Sequence, residues 1–489
     1  MNIFNKLKLG VRAGMAAMKV KNIIDDEQIV GIIREFNSSD KRQLMLIGQK
    51  YYEVDNDIYK RKLQREIKGQ IVDESYKANN KIAHSKYKTM VDEKVNYLLA
   101  REYSLECDNK EYINKVKNVL GKHFGYKLTS LGYESSNKGI GWLQPYIDEQ
   151  GKFNTMIIPA EQCIPIWKDN SHMELDRMIR VYESTYWVGS QKKTETNVEV
   201  WSAEGVTYYK LDNTKLIYNY DKSNDIDNGG PVKHYKRDDE WVSWGKVPFI
   251  PFKNNKIELP DIKFVKSLID EYDKSRSEAA NYIEEVKNLI FILKGYGGED
   301  IGEFMEKLNR YRAIPIDDPS DGGVDALTPT MDITALREHY EQLKRDLVED
   351  GQSINKDLDK FGSAPSGVAL KFMYAGLDLK CNAMDIEYSM AFENLLYFIN
   401  IYLGETNQGN YTNENVSILF NRDMEINETE VIENCSKSKG IISDKTIVAN
   451  HPWVKDVEGE MEKIEEQNKA NEPFQDRVPI EEGAEDGEE

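Results

Sequence analysis

One amphipathic segment constrains the fold more than any other feature of the sequence. Between residues 262 and 290, apolar side chains recur at alternating spacings of three and four, the heptad pattern of a helix that packs on another helix. We call these positions the seam: Ile262, Val265, Ile269, Tyr272, Ala279, Ile283, Val286 and Ile290, with Arg276 as the polar exception. Charges fill the other faces, which predicts a narrow contact along a helix of about 42 Å. The partner is either a second helix of the same chain or a helix of another subunit.

Two more long helices follow in the sequence. Residues 332–349 and 368–403 each carry an apolar stripe at helical spacing. The compact segment between the first two long helices includes a predicted strand at 312–316. Shorter elements come last, and we expect a strand at 416–421 and helices at 428–439, 443–450 and 457–469.

The first half of the chain mixes two periodicities. Ser39 is placed to cap a helix, and residues 73–101 read as a second helical run. From about residue 126 to 219 the pattern alternates, which predicts a mostly antiparallel sheet. Residues 247–255 hold two prolines among aromatic residues, so we expect an extended segment that is not a central strand. Pro260 then stands just before the first long helix.

Composition and charge limit the possible functions. With 40% hydrophobic residues among 489, the bulk of the chain can build a core, and no apolar run approaches the ~18 residues of a membrane span. The net charge of −20 argues against a protein that grips nucleic acid over a broad surface. Thirteen acidic and three basic residues lie at 457–489, whereas residues 1–24 hold five basic and no acidic ones. The tail is predicted to be largely disordered, and the basic start is too broken for a signal peptide.

The sequence holds no recognisable catalytic or metal-binding motif. Six histidines are scattered without HExxH spacing, and the patterns GxxxxGK[ST] and GxSxG are absent. The four cysteines lie far apart, which predicts buried thiols rather than disulfides or a zinc site. We therefore predict a protein that is not an enzyme, with no catalytic, cofactor-binding or metal-binding residues. A metal-dependent nuclease that uses its many acidic residues is the enzymatic alternative.

The order of these parts is more specific than any single motif. The junction Pro248-Phe249-Ile250-Pro251-Phe252-Lys253-Asn254-Asn255 precedes the first long helix, which contains Leu268-Ile269-Asp270, and Ser366-Gly367-Val368-Ala369-Leu370 opens the third. Together with Val95-Asn96-Tyr97-Leu98-Leu99, this order resembles the portal (head–tail connector) proteins of tailed bacteriophages, in the branch typical of long-tailed phages of Gram-positive hosts. The resemblance is strongest over residues 247–403.

The resemblance implies an α+β fold with a helical and β-rich wing, two long stem helices around a small α/β clip, a long spine helix and a helical crown. The implied boundaries are a basic N-terminal segment at 1–24, the wing at 25–255, stem helix 1 at 256–294, the clip at 295–330, stem helix 2 at 331–354, the tunnel loop at 355–367, the spine helix at 368–403, the crown at 404–456 and the acidic tail at 457–489.

The resemblance also implies a function. Portal proteins form a ring, dodecameric in the virion, at one capsid vertex, where double-stranded DNA passes during packaging and ejection. Implied partners are further copies of the chain, DNA, the terminase large subunit, a head–tail adaptor, and the major capsid and scaffolding proteins, with assembly in the host bacterial cytoplasm and no membrane. Lys356 and Lys360 are candidates for phosphate contacts from the tunnel loop, or are solvated loop lysines. The alternative function is a helical adaptor or scaffold oligomer without a channel.

Overall fold

The structure, a computed structural model, describes residues 25–471 except 68–69, 74–76, 223–230, 238–239, 286–289, 295–322, 328–332, 355–366, 423–427 and 455–456. The predicted strand at 312–316, the basic N-terminal segment and most of the predicted clip and tunnel loop lie outside the described residues. The chain divides into two compact units, Met1–Ile354 with Gly376–Asp423, and Asn355–Ala375 with Met424–Glu489.

Two capped helices open the first unit. Helix α1 (Asp26–Ser38) begins with a capping box, in which the Gln28 amide donates to the Asp25 carboxylate at 2.7 Å. Helix α2 (Asp40–Tyr52) begins after Ser39, whose hydroxyl accepts from the Arg42 amide at 3.2 Å. The prediction that Ser39 caps a helix is confirmed.

The predicted helix at 73–101 is wrong over its first half. Strands β1 (Gln64–Ile67) and β2 (Gln70–Asp73) form a hairpin, and helix α3 covers only Lys86–Leu99. Residues 80–84 are instead extended along the first long helix. The amides of residues 80, 82 and 84 donate to Asn281 Oδ1 (2.6 Å), Ser277 Oγ (2.9 Å) and Asp273 Oδ1 (3.0 Å). These acceptors lie four residues apart on one helix face, so distant side chains replace the local hydrogen bonds of a helix.

The β-rich region begins later than predicted. Strand β3 (Ser104–Glu106) precedes helices α4 (Lys110–Leu120) and α5 (Phe124–Lys138), so residues 126–138 are helical. Beyond them the prediction of a mostly antiparallel sheet is confirmed. One sheet has the order β10-β9-β8-β7-β6 and another the order β13-β4-β5, with all neighbours antiparallel. The strands are β4 (Ile140–Ile147), β5 (Phe153–Ile158), β6 (Cys163–Trp167), β7 (Leu175–Val188), β8 (Gln191–Trp201), β9 (Val206–Asp212), β10 (Lys215–Tyr218), β11 (Tyr235–Arg237), β12 (Glu240–Val242) and β13 (Ile250–Lys253).

Apolar clusters lie on both faces of the inner part of the five-stranded sheet. The neighbouring residues Met178 and Ile179 belong to different hydrophobic clusters, because successive side chains of a strand point to opposite faces. Ile29 and Ile33 of α1 cover the Ile179 face. In the other sheet, β13 is an edge strand that contains Pro251, as the proline pattern predicted.

Three long helices follow the sheets. Helix α6 spans Ile262–Glu285, α7 spans Ile333–Asp350 and α8 spans Gly367–Glu405. The first is shorter than predicted, because Ile290 opens strand β14 (Ile290–Lys294), which pairs with β15 (Gly323–Leu327). The hydroxyl of Tyr340 on α7 donates to the Ser275 carbonyl of α6 at 2.8 Å, so the two helices form a hairpin within one chain.

The C-terminal elements match their predictions in type. Strand β16 (Ser417–Leu419) pairs with β3, and α9 (Glu428–Lys437), α10 (Asp444–Ala449) and α11 (Val457–Asn471) are helices. All four cysteines are free thiols, and all but Cys107 are buried. The described chain thus mixes helices with antiparallel sheets, as expected for the α+β class.

Candidate functional site

The loop from Asn254 to Asp261 joins the edge strand β13 to the first long helix. Its two asparagines fold it on itself. The Nδ2 groups of Asn254 and Asn255 donate to the Leu259 carbonyl at 2.9 and 2.8 Å, and the Leu259 amide donates back to Asn255 Oδ1 at 3.1 Å. The Asn-Asn pair of the sequence motif therefore shapes the entry into α6.

A buried ionic cluster fixes the end of this loop. Asp261 Oδ2 lies 3.1 Å from Lys94 Nζ of α3 and 3.1 Å from Lys380 Nζ of α8. The three side chains are 4%, 1% and 12% exposed, and Asn254 Nδ2 donates to the other carboxylate oxygen at 2.8 Å. Burial alone raises the pKa of Asp261, but Lys380 and Lys94 outweigh it and lower the pKa to about 2. One ionised carboxylate thus ties the start of α6 to two other helices.

A second buried carboxylate ties the loop to the first half of the chain. Glu258 is 3% exposed and lies 2.5 Å from Lys41 Nζ, 2.7 Å from His172 Nδ1 and 3.4 Å from Lys253 Nζ. Burial raises the pKa of Glu258, but Lys41 and then His172 lower it by more. Gly139 approaches from the other side, with φ of +84° and no space for a Cβ, which would lie 2.2 Å from the Glu258 carbonyl oxygen. The loop is therefore held by both of its carboxylates.

A cleft of about 590 Å³ lies beside this loop. Its base includes Lys94, Asp261 and Lys380, and its edge includes Ile257 and Leu379, each 65% exposed. The Asp261 carboxylate is already paired with two lysines, so it is a poor general base and a poor metal ligand. Within residues 25–471, as far as they are described, no group of three or more His, Cys, Asp or Glu is placed to hold a metal ion. The geometry of this junction is suited to attaching the start of α6 firmly to the neighbouring helices.

The seam residues fall into two groups. Ile262, Val265 and Ile269 are at most 1% exposed within their own chain. Tyr272 and Ala279 are partly exposed, and Ile283 is 66% exposed. Val286 lies outside the described residues, and Ile290 lies in β14 rather than on the helix. The first part of the seam is therefore covered inside the subunit, and only its later part faces outward.

The candidate tunnel-loop residues Lys356 and Lys360 lie outside the described residues. The ionic cluster was missed by the sequence reading, although two signals pointed to it. Asp261 follows a proline at a helix start, and Lys94 directly precedes the mostly apolar stretch 95–99 at the end of α3. In the parts of the chain that are described, no helix is long and apolar enough to cross a membrane.

Comparisons with known proteins identify the family. Residues 37–473 match the family described as "Phage portal protein, SPP1 Gp6-like". The portal protein of Bacillus phage SPP1 is 30% identical over 468 residues, which cover 94% of this chain and 90% of that protein. The portal protein of Clostridium phage phiCD119 is 33% identical over 453 residues, which cover 88% and 94% of the two chains.

Solved structures of gene transfer agent (GTA) particles are also similar. A chain of "Neck of empty GTA particle computed with C6 symmetry" matches with a TM-score of 0.40 and 10% identity, over 74% of this chain and 88% of that one. A chain of the native GTA virion matches with a TM-score of 0.37 and 12% identity over the same shares. The resemblance found in the sequence is confirmed by the family match and by both curated relatives, from phages of Gram-positive hosts. The chain belongs to the SPP1 Gp6-like family of phage portal proteins.

Proposed function

We propose that this chain forms a ring of twelve copies at one capsid vertex and that double-stranded DNA passes through its channel during packaging and ejection. The observation that carries the proposal is the family match, which extends over residues 37–473 rather than over one motif. The ring docks the terminase large subunit during packaging and later joins a head–tail adaptor. It also contacts the major capsid and scaffolding proteins, and it assembles in the host bacterial cytoplasm.

The subunit acts as a structural part and not as an enzyme in this proposal. DNA that slides through a channel requires weak contacts, and the net charge of −20 favours sliding over tight binding. Lys356 and Lys360 then supply the few phosphate contacts from the tunnel loop. The energy for packaging comes from the terminase, which agrees with the lack of a Walker motif in this sequence.

The implied division into wing, stem, clip, spine and crown remains part of the proposal. The α6–α7 hairpin supports the assignment of two stem helices, because the second long helix returns along the first within one subunit. The contact between subunits then uses the outward end of the seam around Ile283. The three buried seam residues instead hold α6 within its own subunit.

The proposal is tested by counting the subunits of the purified assembly and then imaging its particles. Native mass spectrometry of the purified full chain should give an assembly of about twelve times 56.5 kDa, and class-averaged electron micrographs should show a ring with a central hole. Only monomers or dimers across assembly conditions would refute the proposal. Particles without a central hole would favour the scaffold alternative.

The seam is tested by one residue at its exposed end. We expect Ile283→Asp to leave the subunit folded and to raise the concentration for half-maximal ring assembly at least tenfold, or about 1.4 kcal/mol. Ser267→Asp, at an exposed position of the same helix, is the matched control and should assemble normally. Ile269→Asp is a poor test of the interface, because a charge at a fully buried site should unfold the subunit itself.

A further inference from the structure

A two-stranded arm extends from the five-stranded sheet. Strands β7 and β8 pair from Met178↔Trp201 out to Val188↔Gln191. Strand β6 stops pairing with β7 at Arg180, and β9 stops pairing with β8 at Thr196. Among the described strands, none pairs with β7 or β8 from Ser184↔Glu195 outward, a length of about 17 Å at 3.4 Å per residue. We call residues 185–194 the arm.

The turn at the tip of the arm is preorganised. Gly189 and Ser190 form a two-residue loop between the paired residues Val188 and Gln191. Gly189 has φ of +62°, the conformation that the first central position of a type II′ hairpin turn requires. Such a turn matches the twist of the strands, so the arm loses less conformational freedom on binding than an irregular loop loses.

The arm presents apolar side chains to solvent on both of its faces. Every residue from 185 to 194 is exposed, including Tyr186 at 45%, Trp187 at 69% and Val188 at 50%. Consecutive residues of a strand point to opposite faces, so Trp187 lies on one face and its two neighbours on the other. An isolated two-stranded ribbon is only marginally stable in water, and clustered exposed aromatic residues mark contact surfaces. The arm therefore has the chemistry of a buried element, yet the described residues of its own chain leave it exposed.

The charge of the arm is opposite to that of the chain. Residues 185–194 contain Lys192 and Lys193 and no acidic residue, whereas the whole chain has a net charge of −20. The lysines stand directly across from the aromatic residues, in the pairs Trp187↔Lys192 and Tyr186↔Lys193. Each face therefore offers one aromatic ring beside one ammonium group. A second copy of this chain, with its large excess of carboxylates, is a complementary partner for such a surface.

We propose that the arm docks on the neighbouring copy of this chain in the assembled ring. The aromatic side chains fill apolar space on the neighbour, and the two lysines lie against its carboxylates. Because both faces of the arm carry this chemistry, the receiving surface is a crevice rather than a flat patch. This is a contact between unlike surfaces, the kind that closes into a ring when it repeats. The inference rests on the proposed ring.

The arm can be removed without touching the core, which gives a clean test. In one variant, Asn-Gly replaces residues 185–194, so that the pair Ser184↔Glu195 closes on a two-residue turn. Two other variants keep the arm. Trp187→Ser removes the exposed indole side chain, and Lys192→Glu with Lys193→Glu reverses the charge of the arm. The matched controls are Ile217→Ser and Lys215→Glu on β10, where Ile217 is 50% exposed and Lys215 is also exposed.

Assembly of the full chain is followed by mass photometry over a range of concentrations, with circular dichroism as the measure of folding. We expect all variants to keep the wild-type spectrum. Arm removal and charge reversal should raise the concentration for half-maximal assembly at least tenfold, and the β10 controls should match the wild type. A photo-crosslinking benzoylphenylalanine at position 187 should yield covalent subunit dimers, and one at position 217 should not.

The outcomes separate this inference from the proposed function. If the wild type forms no ring, the proposed function fails. If the wild type and the arm-deleted chain form rings at the same concentration, only the arm inference is overturned. Normal rings that fail to enter capsids would also overturn it, because the arm would then contact another virion protein.

Discussion

The ionic cluster at the start of α6 gives the sharpest prediction for the stability of the subunit. Asp261→Asn keeps the shape of the side chain but removes the negative charge that lies 3.1 Å from both Lys94 Nζ and Lys380 Nζ. Removing one partner from a buried ion pair typically costs about 3–5 kcal/mol, because the other charge is left buried without a partner. Lys94 keeps its hydrogen bond to Asn254 Oδ1, so we expect a value near the lower end, about 3 kcal/mol.

The pH dependence of this effect follows from the lowered pKa of Asp261. The folded-state pKa of about 2 lies below the ordinary value of 3.8, so the carboxylate stabilises the fold above about pH 4 and loses that effect as the pH falls towards 2. A shift of this size corresponds to about 2 kcal/mol. The difference between wild type and Asp261→Asn should therefore be constant above pH 5 and shrink between pH 4 and 2.

The assay is urea unfolding of the unassembled subunit, followed by tryptophan fluorescence from pH 7 to 2.5. The control is Glu174→Gln, since the Glu174–Lys168 pair is exposed on both sides and should contribute less than about 1 kcal/mol. A loss below about 1 kcal/mol for Asp261→Asn at pH 7 would refute the reasoning. The reasoning would also be refuted if the difference in the free energy of unfolding between the wild type and Asp261→Asn did not change below pH 4.

Three further predictions concern other sites. Gly139→Ala should destabilise the subunit by at least about 2 kcal/mol, because a Cβ there meets a carbonyl oxygen at 2.2 Å, whereas Gly31→Ala on open helix surface should be neutral or slightly stabilising in the same urea assay. Burial lowers the pKa of His234 to about 4, so the folded chain loses stability as the pH falls from 6.5 to 4. His234→Asn should flatten that part of the unfolding profile by about 3 kcal/mol, and an unchanged slope would contradict the assignment. Lys356→Ala combined with Lys360→Ala should leave ring assembly intact in mass photometry and reduce DNA packaging measured by nuclease protection.

The sequence allowed accurate prediction wherever the cause of a structure is local. Ser39 caps its helix through a residue three positions away, and Pro251 confines β13 to a sheet edge through its own missing N–H. The apolar stripe on α8 predicted a helix that the structure places within two residues at each end. In each case the deciding interaction lies within one turn or one strand.

Prediction failed where distant residues decide. Residues 80–84 are extended because their acceptors lie about two hundred positions later in the sequence. Helix α5 is poor in strong helix formers, yet it packs closely on α3 at Gly132, where an added Cβ would lie 2.6 Å from Leu99 Cδ1. The ionic cluster joins Lys94, Asp261 and Lys380 from three separate segments. No local pattern contains that juxtaposition, although the family resemblance located the loop that contributes Asp261.

The three amides that donate to Asp273, Ser277 and Asn281 also limit how α6 moves. A turn of the helix about its own axis carries all three acceptors away from the extended segment at once, and a slide along the axis mismatches all three together. The first five turns of the helix therefore move together with residues 80–84 as one unit. Through Asp261, this unit also remains attached to α3 and α8. The contact continues into the last turn, where Asn80 Nδ2 donates to Glu284 Oε2 at 2.8 Å, although Ile283 in the same turn is exposed. A displacement of α6 is thus resisted along most of the helix and is passed to α3 and α8 through Asp261.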